Sequence, residues 1–305
     1  MDAARVRGRQ DSRGAARLSE SAFRTLLSVG GIAVSVLLIA IFFSLFLAAR
    51  PALLANGVRF LTGTDWDPVT EKFHALPFVF GTLLTSLIAM IIATVLSLAL
   101  AILMGEYVRS GPFSRIVRTA VELLAGIPSV VYGFVGLAFL VPVMRAVQLA
   151  VGVPPYGVGI LTASILLAFM VLPYAASIGR EMISLVPVDL KEAALSLGAT
   201  GSETTWKVTL PHARSGIMGG VLLSLGRALG ETMAVTMLIG NANILSPNIL
   251  GPGSTMASVI ANEFSEATGE LYLASLIEIA LLLFAISALI NVFGKLVVKR
   301  LAGGL

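Results

Sequence analysis

The sequence predicts an all-α integral membrane protein with six transmembrane helices and both termini in the cytoplasm. Three observations carry that prediction. Apolar residues make up 57% of the 305 residues and charged residues only 12%, and the mean hydropathy of +0.94 exceeds that of a soluble domain. Six segments, 25–49, 76–105, 117–141, 158–178, 216–240 and 273–298, reach the ~20 apolar residues that a helix needs to cross a bilayer. They lack the alternation of barrel strands, and lipid leaves no partner for open backbone groups, so helices are the spanning form. The third observation is charge asymmetry. Sixteen of the 21 basic residues lie in the N-terminal tail, in the second-to-third and fourth-to-fifth connections, and at the C-terminus. The opposite side has only Arg50, Arg59, Lys72 and Arg145, and Arg227 lies inside a span. Positive charge stays inside, which orients the chain.

The elements follow in order. Residues 1–24 form a basic cytoplasmic tail carrying six arginines, expected to be flexible and held near anionic lipid by its charge. Residues 25–300 form one six-helix membrane domain, and 301–305 a short tail. The first span has no clear small-residue cleavage site and reads as an uncleaved anchor. The outer connection 50–75 contains Gly63-Thr64-Asp65-Trp66-Asp67-Pro68, a turn-rich stretch with an interfacial tryptophan. Pro128 in the third span implies a kink or break there. In the last outer connection, 255–267 reads as an amphipathic helix, with Met256, Val259, Ile260 and Phe264 on one side, lying at the interface or serving an external partner.

The fourth-to-fifth connection, about 184–212, is a polar island in an apolar chain. Asp189 starts a helix, and Gly198 ends it in the left-handed conformation that glycine tolerates. Thr200 and Glu203 have capping-box spacing, so a second helix follows until Pro211 stops it. Such a loop is either an ordered connector or a surface for a soluble partner.

The fifth span holds Gly226-Arg227-Ala228-Leu229-Gly230-Glu231-Thr232. Counted from Gly216, Arg227 lies about 16 Å along a helix crossing a ~30 Å core. An unpaired arginine there costs on the order of 2.5–3.5 kcal/mol. In a continuous helix Glu231 shares its face and offsets part of that cost, and Gly226 and Gly230 admit a neighbouring helix. Two readings stay open, a structural Arg–Glu clamp and a cationic point on an anion pathway. Arginine suits the second because its planar fork matches phosphate or sulfate oxygens. Glu122 and Glu278 are further acids in spans, Glu122 being a weak pathway candidate.

Catalytic signatures are absent. No Gly-rich loop ends in Gly-Lys-Ser/Thr, so ATP is not bound in the P-loop manner. The only histidines, His74 and His212, fall on opposite sides of the membrane, which argues against a His metal site or triad. The chain has no cysteine, which excludes thiolate ligands and disulfides. Charge asymmetry accounts for the pI near 9.6, which therefore gives no support to nucleic-acid binding.

At this point the spacing Glu192-Ala193-Ala194, Gly198, Leu210-Pro211 resembles the signature loop of bacterial ABC-importer permeases, with Val208 where that family often carries isoleucine. Gly126-Ile127-Pro128-Ser129, Gly226 to Val235 and Ala257 to Phe264 are similar to phosphate permeases of the PstC type. The resemblance implies the type I ABC importer permease fold in the bacterial cytoplasmic membrane. It implies a PstA-type second permease, two PstB-type ATPases that carry the ATP-Mg, and a PstS-type phosphate-binding protein outside, with no cofactor in this chain. It assigns Glu192, Ala193, Ala194 and Gly198 to ATPase contact, Leu210 and Pro211 to the turn back into the membrane, and Arg227 with Glu231 to phosphate. A permease for sulfate or molybdate, or a non-transporting scaffold or sensor, are the alternatives.

Overall fold

A computed structural model describes residues 2–302, with side chains described for 23–300. By its contacts the chain divides after Ala48 into a helical unit and a larger body. The first unit is the greater part of α1 (Asp2–Asn56), so the tail expected to be flexible is helical from Asp2.

The body begins with the end of α1, followed by the short α2 (Arg59–Thr62) and a two-stranded hairpin, β1 (Trp66–Asp67) and β2 (Lys72–Phe73). Next come α3 (Leu76–Ile102), which finishes in a π-turn over Leu103–Tyr107, and α4 (Pro112–Gly126). After a break at Ile127-Pro128, α5 (Ser129–Val135), a π-turn at Gly136–Leu140 and α6 (Val141–Val151) run on as one helix. The core is built by α7 (Ile160–Ser184) packed along α3, with α10 (Leu210–Leu229) against both. Small residues permit the approach: Gly179 faces Ala101, and Gly220 faces Ile178. Between α7 and α10 lie α8 (Val188–Ser196), α9 (Gly201–Thr204) and a third π-turn, Thr205–Thr209. The chain closes with α11 (Met233–Leu238), α12 (Met256–Glu263) and α13 (Glu270–Ala302).

Among the described residues, five helices are long and apolar enough to cross a membrane: Phe23–Asn56, Leu76–Tyr107, Ser129–Val151, Ile160–Ser184 and Glu270–Arg300. Two segments read from the sequence as single spans are broken instead. The third divides at Ile127-Pro128, because proline disfavours helix in the residue before it, and the spanning helix starts only at Ser129. Glu122 consequently lies on α4, exposed, rather than in a span. The fifth divides at Gly230, so α10 and α11 are separate pieces.

Polar backbone at the breaks and ends is satisfied locally. The 240–255 connection folds over the start of α7, where Ile160 N–H donates to Gly251 C=O and Leu161 N–H to Ile249 C=O. Gln148, fully buried, accepts from Gly157 N–H at 2.6 Å and donates to Leu250 C=O at 2.8 Å. The expected interfacial helix is a correction as well. Met256 and Val259 of α12 are buried in an aromatic cluster with Phe60, Phe73 and Phe78. Trp66 is buried there too, rather than interfacial, and donates its indole N–H to Glu263 Oε2 at 2.7 Å. Tyr272 and Asn243 donate to the same carboxylate at 2.7 Å each, so Glu263 ties the hairpin, α12, α13 and the long connection together.

Candidate functional site

The break between α10 and α11 places Arg227 two residues before the end of α10, where a cation is favoured by the unpaired carbonyls of a helix C-terminus. Its side chain is exposed, and its guanidinium carbon stands 4.6 Å from the centre of the Tyr174 ring. The Tyr174 hydroxyl donates to Ala125 C=O at 3.0 Å, and the Tyr132 hydroxyl to Leu124 C=O at 2.8 Å. Two tyrosines from α5 and α7 thus cap the open end of α4 at its own break. Both helix breaks converge on one cation.

The expected Arg–Glu pair is not formed. With α10 ending at Leu229, the four-residue spacing no longer puts Glu231 on the face of Arg227. Glu231 is half-buried and its Oε1 accepts from Ala234 N–H at 3.5 Å, at the first turn of α11. Among the described residues no carboxylate lies within ion-pair distance of Arg227. Gly230 is outside the helix, and only Gly226 faces a neighbour, Asn291 of α13. Glu278 is buried with one oxygen lacking a hydrogen-bond partner. Sequence reasoning missed Tyr174 and Tyr132. The available signal was a tyrosine beside Pro173 within a span and another just after the Pro128 break.

The polar island folds as a helical turn in which α8 and α9 meet at Gly198, whose φ of +88° is the left-handed conformation. The capping box forms. Glu203 N–H donates to Thr200 Oγ1 at 3.3 Å, and Thr200 N–H donates to Glu203 Oε2 at 3.0 Å. Lys207 Nζ adds a bond to Glu203 Oε1 at 3.0 Å. The Thr200 amide first, then the Lys207 ammonium and the Thr200 hydroxyl, hold the Glu203 carboxyl down to about 2.

Pro211 does not stop the second helix. The π-turn at Thr205–Thr209 widens the backbone ahead of it, which accommodates both its missing N–H and its ring. Residues 201–229 consequently form one helical run about 43 Å long. Leu210 and Pro211 lie within that run, and the chain turns earlier, at 197–200. Glu192, Ala193 and Gly198 are exposed and Ala194 half-buried. Ala194, Gly198, Glu203 and Lys207 line a shallow cavity of about 350 Å³. Leu197, 90% exposed, also lines it, and Trp206 of the following π-turn is a second exposed large apolar side chain.

Comparison with known proteins decides what this architecture belongs to. Residues 97–303 match the family of binding-protein-dependent transport system inner membrane components. The phosphate transport system permease protein PstC of Mesorhizobium japonicum is 43% identical over 93% of this chain and 91% of its own length. That of Xylella fastidiosa is 42% identical over 92% and 90%. The chain belongs to this family, within its PstC-type permeases.

The fold agrees with the family at lower identity. A bacterial alginate ABC transporter, solved with an alginate pentasaccharide-bound periplasmic protein, superposes with a TM-score of 0.63 at 15% identity, covering 90% of this chain and 94% of that one. An inward-facing MetNI methionine ABC transporter gives 0.56 at 20% identity, covering 73% and 94%. As a PstC-type permease, the chain is a multi-pass component of the inner membrane. The family match includes both the helical turn at 188–209 and Arg227.

Proposed function

We propose that this chain is one of two permease subunits of an ATP-driven importer, moving inorganic phosphate across the cytoplasmic membrane by alternating access. The observation that carries the reading is Arg227. It is a cation with no carboxylate partner among the described residues, exposed at the convergence of two helix breaks and held by the face of Tyr174. A guanidinium held by its ring face keeps its N–H fork available to a tetrahedral oxyanion. The PstC relatives, alike over nine-tenths of the chain, supply the identity of that oxyanion.

Glu231 then orders the start of α11 beside the cation, and Glu122, exposed on α4, stays outside the pathway's centre. The second permease covers the open side of Arg227. One of two separate ATPases docks on Glu192, Ala193, Ala194 and Gly198, and a binding protein delivers phosphate from outside. Because the helical run from Gly201 reaches Arg227, motion of the docked turn is conveyed directly to the anion site. The α10–α11 pair counts as the sixth crossing, which leaves both termini in the cytoplasm.

Arg227→Gln tests the reading. In the reconstituted four-component transporter, the variant assembles normally and loses phosphate uptake, by about ten- to a hundredfold for a charge-assisted contact of ~1.5–3 kcal/mol. Undiminished uptake would return Arg227 to a packing role. Sulfate and molybdate, supplied as competitors, distinguish the oxyanions.

A further inference from the structure

The docking helix α8 is seated on the body by one buried residue, and that residue is a lysine. Lys191 is 6% exposed, while its neighbours Glu192 and Ala193 face outward. Lysine is almost never buried unless paired. Here its Nζ stands 2.7 Å from Glu106 Oε2, and Arg109 Nη2 holds the other carboxylate oxygen at 3.0 Å. Arg109 Nε also donates to Gly105 C=O at 3.0 Å, which fixes the fork.

Glu106 belongs to the π-turn that ends α3. That turn presses against the end of α7. A Cβ on Gly105 would come within 2.7 Å of Ile183 Cγ2 and 3.3 Å of Arg180 C=O, so the close approach depends on glycine. The ion pair therefore joins α8 to a long helix that is 85 residues away in sequence and that forms the core with α7.

We infer that Lys191 and Glu106 are positioning residues that transmit the movement of the docked ATPase from α8 to α3. The inference rests on the reading of 184–212 as the ATPase-docking loop. The covalent route from that loop leads to α7 on one side and α10 on the other. Without the ion pair, α3 would receive the movement through its packing against α7 and α10. A buried charge pair resists separation more than apolar contact does, because parting it strands the buried Lys191 ammonium, even though Glu106 keeps Arg109. Coupling is carried by packed side chains, ion pairs and rigid elements together, and this pair adds a polar connection to the packing.

The test uses the complete transporter in proteoliposomes with its binding protein and inorganic phosphate, comparing Lys191→Met, Glu106→Gln and the double variant. Each single variant retains the co-purified ATPase, while phosphate moved per ATP hydrolysed falls about fivefold or more, the scale of a typical coupling free energy. The double variant is no worse than the poorer single, because the pair acts as one connection. Glu106→Asp, which keeps the charge and withdraws it by a methylene, gives an intermediate loss without emptying the site.

Unchanged phosphate per ATP in the two single variants, or losses that simply add in the double, overturns the inference. Loss of the ATPase from both singles also overturns it, since the pair would then only shape the docking surface. If the unsubstituted complex binds no ATPase, or hydrolyses ATP without responding to phosphate, the docking reading fails first and this inference falls with it.

Discussion

At the scale of single residues, Arg227 depends on a partner that no local pattern names. Tyr174 is 53 positions earlier, on α7, and reaches the cation only because α7 and α10 pack together. Arg227 itself was legible, since a charge in an apolar run needs an explanation. Its supposed partner Glu231 was misread, because the four-residue rule assumes a continuous helix and Gly230 interrupts it. The tyrosine has two separable jobs. Its ring supports the guanidinium, and its hydroxyl satisfies Ala125 C=O at the end of α4. Tyr174→Phe keeps the ring, so phosphate uptake remains near normal. Tyr174→Leu removes it and lowers uptake by up to about tenfold, between the ~1 kcal/mol of an exposed cation–π contact and the ~2 kcal/mol of a desolvated one. Equal losses in the two variants would assign the effect to the hydroxyl and the α4 break instead.

Among the elements, the helical turn at 188–209 was the most legible, because capping chemistry is local. Thr200, Glu203 and Gly198 act within a few residues of one another, and the structure forms the cap and the left-handed turn in those places. Pro211 was misjudged for the converse reason. Its cost depends on whether the preceding backbone can widen, and the π-turn at Thr205–Thr209 does so. The cap also carries a pH dependence of defined sign. The Thr200 amide, the Lys207 ammonium and the Thr200 hydroxyl bond the charged form of Glu203, which lowers its folded value to about 2 from an ordinary 4.5. The stabilisation is therefore complete above the ordinary value and is lost as pH falls from there through the folded value. A nitroxide at Ser202→Cys, on an exposed position of α9, will report a rigid turn from neutrality to about pH 4.5 and loosening below it. Glu203→Gln, unable to ionise, will show weaker order with no such transition. A loosening that persists in Glu203→Gln would place the titrating group elsewhere.

For the whole molecule, class and membrane character were legible because hydropathy sums over many residues. The number of continuous spans was not, because whether an apolar run breaks depends on one proline or glycine and on the neighbours that satisfy the freed backbone. The α10–α11 pair is the decisive case, and the absence of natural cysteine allows it to be tested by site-directed labelling. Three long helices, Leu76–Tyr107, Ser129–Val151 and Ile160–Ser184, separate Val69 from Leu197, so an odd number of crossings puts these residues on opposite sides. Both are about nine-tenths exposed and tolerate substitution. With a membrane-impermeant maleimide on right-side-out vesicles, Val69→Cys reacts, and Leu197→Cys reacts only after permeabilisation. The reverse pattern would invert the orientation and remove the turn proposed for ATPase docking from the side where ATP is available. Thr268→Cys, exposed just before α13, then reads the broken pair. If α10 and α11 together cross the bilayer, this position reacts from outside, like Val69→Cys, and the chain has six crossings. Labelling only after permeabilisation would make the pair re-entrant, leave five crossings, and place the C-terminal Lys299 and Arg300 outside, against the charge asymmetry that oriented the chain.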